Sequence, residues 1–231
     1  NIAGGFSETD KVLGKIDLKE SNFLGKGQSL GASLQVSKRR KEANISFDEP
    51  YFLDRELLAG VDFFHSITNY NKESAYDTVS TGGGFRLGYD LADHIGQMWS
   101  YNFKRSKLFN IDADASVFVV DSRRRQTVSE IGHHLTFDWR DNRMDPNRGV
   151  FFNFSQEIAG AGGNTRYLRF ANSGGFYQPI IDGVVFSLTG EYGYIMGLNQ
   201  KVDINNRYFL GGESFRGFEV RGVGPRATFL D

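Results

Sequence analysis

The chain is 231 residues long, with 28 glycines, 14% aromatic residues, four prolines, no cysteine and a formal net charge of −1. That composition disfavours a helical protein, removes disulfide scaffolds, thiolate metal sites and cysteine catalysis, and argues against a dedicated nucleic-acid binder, whose domain carries a marked basic excess. Mean hydropathy is −0.40, and no apolar run exceeds about five residues where a membrane-crossing helix needs roughly 20; a transmembrane β-barrel stays open, because lipid-facing apolar and lumen-facing polar residues average to the hydropathy of a soluble protein.

Asn1 begins inside a strand pattern, with no basic stretch and apolar core ahead of it, so the sequence reads as excised from something longer. Period-2 alternation then recurs almost throughout. Segments near 2–8 and 12–20 come first, followed by Leu30, Ala32, Leu34 and Val36 set against Gly31, Ser33, Gln35 and Ser37. Segments 43–49 and 56–67 lead to Phe85, Leu87, Tyr89 and Leu91, opposed by Arg86, Gly88 and Asp90. Patterns near 97–107, 129–139, 149–158 and 166–177 precede the clearest, 184–194, where Val184, Phe186, Leu188, Tyr192 and Tyr194 share a face. The spacing predicts eleven antiparallel strands. Most run about 9 to 13 residues, whereas globular strands have a mode of 5 to 6 and a tilted bilayer-spanning strand needs 9 to 11.

The links sort by parity. The longest, near 68–79, near 108–128 and after strand eleven, are all odd-numbered, while short ones near 22–27, 92–96 and 178–183 are even-numbered. An antiparallel meander places the two sets on opposite sides, as an outer-membrane barrel places its long loops and short turns, and it brings the N-terminus in from the periplasmic side. The expected fold is all-β, an antiparallel transmembrane β-barrel, with residues 1–231 as one partial domain. It is expected to be incomplete, because bacterial barrels close with an even strand number and the chain stops in a loop-like stretch at Asp231.

The most specific segment is Tyr208-Phe209-Leu210-Gly211-Gly212-Glu213-Ser214-Phe215-Arg216-Gly217-Phe218-Glu219, followed by Arg221-Gly222-Val223-Gly224-Pro225-Arg226. With it go, in order along the chain, Asn22-Phe23-Leu24-Gly25-Lys26-Gly27, Glu49-Pro50-Tyr51-Phe52-Leu53-Asp54, Asp138-Trp139-Arg140-Asp141-Asn142 with Asp145-Pro146-Asn147-Arg148-Gly149, and Tyr177-Gln178-Pro179. On these segments the whole chain resembles the BamA family of outer-membrane protein assembly factors. The resemblance implies a sixteen-stranded barrel of which this chain holds strands one to eleven and most of the sixth outer loop; the last five strands and the preceding POTRA domains lie outside it. It implies an Arg-Gly-Phe loop motif at Arg216, Gly217 and Phe218, approached through Gly211 and Gly212, with the arginine meeting acidic and aromatic groups on later strands.

The resemblance further implies that the protein folds and inserts barrel proteins, with no bond chemistry and no cofactor, in the cell outer membrane. Its partners would be unfolded outer-membrane proteins as clients, accessory assembly lipoproteins, periplasmic chaperones, membrane lipid and lipopolysaccharide, and no nucleic acid. Strand physics supplies a mechanism: an edge strand presents unpaired N–H and C=O groups that lipid cannot satisfy, so a poorly paired first strand can template a client strand. Ile2, Ala3, Gly4, Gly5 and Phe6 are the expected lateral gate; their glycines could equally fit a tight seam. A two-partner secretion or TamA-like transporter of the same superfamily, a passive porin and a soluble sandwich remain alternatives.

Asp138, Asp141, Asn142 and Asp145 invite a hard-cation reading but lack the spacing of an EF-hand loop and are expected to build a periplasmic turn. Two basic runs, Lys38-Arg39-Arg40-Lys41 in the third link and Arg123-Arg124-Arg125 in the seventh, could meet lipopolysaccharide phosphates or be plain solvated loops. His133 and His134 point to opposite faces of one strand, and Gly82-Gly83-Gly84 precedes a strand, not a helix, so neither a two-histidine metal site nor a dinucleotide loop is expected.

Overall fold

The computed structural model describes residues 1–7, 11–113, 115–122, 125–212, 214–219 and 222–224. Eleven strands form a single sheet: β1 (Ile2–Ser7), β2 (Lys11–Phe23), β3 (Gln28–Ser37), β4 (Arg40–Glu49), β5 (Leu58–Asn69), β6 (Asp77–Ala92), β7 (Ile95–Phe109), β8 (Arg125–Asp138), β9 (Gly149–Ala159), β10 (Tyr167–Ile181) and β11 (Val184–Gly197). Each pairs antiparallel with its sequence neighbours, so the sheet is a pure meander. Two one-turn helices, α1 (Asn71–Ser74) and α2 (Val117–Val120), lie in the fifth and seventh links.

Alternation gives the sheet an apolar and a polar face. Phe170 and Tyr194 pair across β10 and β11, as do Phe176 and Leu188, and the same parity carries Phe152 and Phe137 across β9 and β8. Leu188 is 63% and Phe63 65% exposed, values that make sense on a wall whose outer solvent is lipid. Among the described residues, the buried apolar clusters lie on the odd-link side. Tyr76, Leu108, Ala115, Val119 and Ile204 join the fifth link, the end of β7, the seventh link and the segment after β11; Val128, Ala159 and Tyr167 form the other cluster.

Several boundaries differ from the sequence reading. β6 begins at Asp77, so Gly82, Gly83 and Gly84, expected to precede the strand, lie within it. They answer bulk on both neighbours: Gly82 pairs with Phe64, Gly83 with Phe63 and Gly84 with Asn102, and a Cβ at any of them would collide with those side chains. Alternation hides such a strand because its small residues complement large ones elsewhere.

The third link contains only Lys38 and Arg39; Arg40 and Lys41 belong to β4, because pairing continues through Arg40 to Thr68 and Lys41 to Ile67. Ser37 Oγ accepts from the Arg40 amide at 2.9 Å and tightens that turn. Arg125 likewise opens β8, opposite Lys107, and is not in the seventh link. Arg123 and Arg124 lie outside the described residues.

Candidate functional site

The segment after β11 turns back across the polar face. A 3-10 turn at Ile204–Asn206 starts the return, with Ile204 and Asn206 buried. Ile204 N–H donates to Ser122 Oγ at 3.1 Å, Asn205 Nδ2 to Thr78 Oγ1 at 3.3 Å and Asn206 Nδ2 to Gln126 Oε1 at 3.3 Å. The turn thus ties the seventh link, β6 and β8 together. Tyr208 then crosses to β10 and β11, where its hydroxyl donates to the Phe170 carbonyl at 2.8 Å. Its ring rests on Gly193, where a Cβ would stand 3.0 Å from ring atoms. Burial pushes the Tyr208 phenol upward from its ordinary value.

Beyond Tyr208 the chain closes a second turn. Leu210 and Val223 form an antiparallel bridge, Gly212 N–H donates to the Phe218 carbonyl at 2.8 Å, and Ser214 Oγ donates to the Gly211 carbonyl at 3.0 Å. Gly211 sits at φ 127° and its Cβ would strike the Glu219 carbonyl, so only glycine fits. The rings of Phe215 and Phe218 stack at 4.9 Å, and Arg216 between them is exposed. Among the described residues no ion pair includes Arg216. The motif residues are therefore brought together in one closed turn in which Arg216 is exposed.

Beneath this segment lies a charge network that alternation alone did not single out. Glu157 and Arg169 are direct cross-strand partners on β9 and β10 and form an ion pair. Arg169 also reaches Glu130 of β8 at 3.4 Å, and Tyr167 donates its hydroxyl to the same carboxylate at 2.5 Å. The Arg169 guanidinium lies 5.3 Å from the Tyr167 ring centroid. A second knot joins β4, β5 and β6: Arg86 bonds Asp48 at 2.5 Å and Asp62 at 3.1 Å, and a Cβ on Gly60 would displace both Asp48 and Arg86. In each knot the charges are paired, as partly desolvated charges must be.

At the start of the sheet, β1 pairs with β2 through Ile2–Ile16, Gly4–Gly14 and Phe6–Val12. Among the described residues its other edge has no partner strand. A Cβ on Gly4 would meet only Leu13 O at 3.9 Å and one on Gly5 nothing within 4 Å. Packing within this sheet therefore does not require either glycine.

The acidic cluster builds the turn between β8 and β9. Arg140 forks onto Asp138 through two bonds of 2.8 Å, Arg143 adds a third at 3.0 Å, and Arg140 covers the Phe151 ring at 4.4 Å. Its hydrogen bonds to Asp138 hold the Arg140 guanidinium above its ordinary value. Asp141 accepts from the amides of Arg148, Asn147 and Asn142 at 3.1, 3.0 and 2.9 Å, and these, the Arg148 amide foremost, hold its carboxyl below the usual range. Among the described residues no group of three or more metal-ligating side chains is assembled. His133 and His134 do part to opposite faces: His133 meets Gln97 and Gln156, His134 meets Ser155 and Ser100.

Comparison with known proteins agrees with this architecture. The Omp85 superfamily domain matches residues 22–231. The outer membrane protein assembly factor BamA of Neorickettsia risticii is 29% identical over 100% of this chain and 31% of its own length. SAM50-like protein CG7639 of Drosophila melanogaster is 22% identical, over 91% of this chain and 50% of its own length. The crystal structure of BamA from Haemophilus ducreyi lacking POTRA domains 1-3 superposes with a TM-score of 0.84 at 19% identity, covering 97% of this chain and 46% of that one, a likeness of fold. The chain spans only 31% and 26% of the length of two bacterial relatives.

Proposed function

The chain belongs to the Omp85 superfamily, and on that premise we propose that the protein carrying it folds and inserts β-barrel proteins, using the first strand as a template. Its strands form part of an outer-membrane β-barrel wall. The observation that supports the activity most is the match of the whole chain to a protein named as an assembly factor. In this reading residues 1–231 are strands one to eleven of a sixteen-stranded barrel preceded by POTRA domains, and unfolded outer-membrane proteins are the clients, delivered by chaperones and accessory lipoproteins.

The polar face is the lumen wall, and the returning segment lies against it. Arg216 serves as the fork that takes a carboxylate on a later strand, held out by the turn of Gly211, Gly212, Gly217 and Phe218. Ile2, Ala3, Gly4, Gly5 and Phe6 lend their backbone to a client strand by β-augmentation. Lys38 and Arg39 in the third link, with Arg40, Lys41 and the run Arg123, Arg124 and Arg125, offer cations to lipopolysaccharide phosphates; Arg40 is already shared with Glu42 at 2.5 Å.

Reconstituting the full-length protein in liposomes and following folding of an unfolded client barrel tests this. Wild type should accelerate client folding over empty liposomes, and Gly4→Pro, which deletes a backbone donor, should abolish most of that gain. Equal folding with and without the protein would refute the activity; unimpaired folding with Gly4→Pro would refute only the template. Neutralising both basic runs should weaken lipopolysaccharide binding, and unchanged binding would remove that role.

A further inference from the structure

Three cations stand together on the outward face near the odd-link edge. Lys107 of β7 and Arg125 of β8 are direct cross-strand partners, and Arg105 lies two residues from Lys107 on the same face. All three are exposed, and they share the outward parity of Tyr101, Phe103 and Ile131. Arg86 and Arg169 on the polar face each hold carboxylates, whereas among the described residues no ion pair includes Arg105, Lys107 or Arg125. Asp77 of β6 is diagonal to Lys107, yet it is 7% exposed and accepts from Asn110 Nδ2 at 2.9 Å. The cross-strand partners of Arg105 are the neutral Thr81 and Thr127, and Thr81 is bonded to His65 at 2.7 Å.

Like charges directly opposite on one face of a sheet repel, and at a bilayer edge they have less water to screen them and call for an anion. A bilayer-spanning strand takes about 9 to 11 residues. Counted from Ile95 at the even end of β7, that span ends between Phe103 and Arg105, so the three cations lie at the opposite membrane boundary, level with lipid headgroups. On the bilayer side of them the outward rows turn apolar: Phe63 and Phe103 flank Gly83, and Phe85, Tyr101 and Ile131 form the next row. The Arg105 guanidinium lies 5.4 Å from the Phe103 ring centroid, where the two zones join. The result is a cationic patch, about 8 Å across by strand geometry, on the rim of a hydrocarbon-facing wall.

We infer that Arg105, Lys107 and Arg125 clamp the headgroup of a lipid phosphomonoester in the odd-link leaflet, whose chains continue into the bilayer along the apolar rows. Charge selects the headgroup: a phosphodiester brings a single negative charge, a phosphomonoester about −1.5 to −2 at neutral pH with three strong acceptor oxygens to share among three cations. The apolar rows directly beneath the patch select a lipid over a free anion. The inference adds Arg105 and Lys107 to the cations offered above, and it rests on the outer-membrane placement, not on client insertion.

The test is binding of fluorescent phosphatidic acid to the full-length protein in neutral-detergent micelles, with phosphatidylglycerol as the phosphodiester control. Wild type should bind phosphatidic acid the more tightly. Lys107→Gln and Arg125→Gln should each weaken that binding about tenfold, the worth of one charged contact. Lys41→Gln, on the same outward row but three strands away, should weaken it by less than about twofold. Equal losses in all three variants would mean diffuse surface charge and overturn the clamp, and equal binding of the two lipids would overturn the phosphomonoester. Displacement of the lipid by inorganic phosphate as readily as by unlabelled phosphatidic acid would overturn a lipid as the occupant. In micelles without anionic lipid, Lys107→Gln should unfold no earlier than wild type, because it relieves a repulsion; earlier unfolding would contradict the unpaired cations. The wild-type preference between the two lipids decides if the variants do not fold.

Discussion

Gly193 and Tyr208 show how single positions hold the returning segment. The glycine supplies a flat seat on β11 and the tyrosine fills it, tied by its hydroxyl to the Phe170 carbonyl. Tyr208→Phe should loosen the segment by about 1 kcal/mol, the net value of one hydrogen bond. Gly193→Val should evict the ring altogether. Trypsin cleavage after Lys201, Arg207 or Arg216 reads both: faster in Tyr208→Phe, fastest in Gly193→Val, with equal rates contradicting the seat. Arg169→Met removes the ion-pair partner shared by Glu130 and Glu157 and should destabilise by roughly 3 kcal/mol, seen as earlier thermal unfolding. Methionine at both Arg169 and Glu157 should recover part of that loss, since a pair removed together leaves one fewer orphaned charge.

Asp141 makes a pH prediction with a definite sign. Its carboxyl is lowered by the Arg148, Asn147 and Asn142 amides, so its stabilising contribution is fully present above the ordinary carboxylate value and is lost as pH falls through the lowered one. Asp141→Asn should therefore unfold earlier than wild type at neutral pH and converge with it below that acidic window; a constant gap would refute the linkage.

Among the elements, β6 carries the clearest prediction. Gly84→Val would set side-chain bulk against Asn102 and the Tyr101 carbonyl, and Gly83→Val against Phe63, so each should cost about 1 to 3 kcal/mol in overpacking. The pair Phe63→Ala with Gly83→Val should cost less than the two changes summed, as coupled neighbours do. The strands themselves were legible because each keeps one parity over many residues, as 184–194 does. Their ends were not, because polar residues continue pairing: Arg40 and Lys41 look like a loop and bond like a strand. The parting of His133 and His134 followed from period 2 alone. The Glu130, Glu157 and Arg169 knot did not, since alternation gives the face of each residue but not the register that sets Glu157 opposite Arg169.

For the molecule as a whole, the parity of the links organises both stability and function. The odd side gathers the fifth and seventh links and the returning segment into one buried cluster, but link length does not sort strictly by parity: the even eighth link spans 139–148, whereas the odd third holds only 38–39. Strand β1 sits at the far end of the sheet order from β11 and, among the described residues, pairs along six; in the proposed function it is the strand that a client recruits. The sequence contains no cysteine, so introduced thiols report cleanly on that recruitment. A cysteine at Ala3 in the full-length protein, offered a client with single cysteines along its last strand during insertion, should form disulfides in one register with a two-residue repeat. Client insertion without any adduct at Ala3, or adducts as frequent at Leu87 on the outward face of β6, would contradict templating by the first strand.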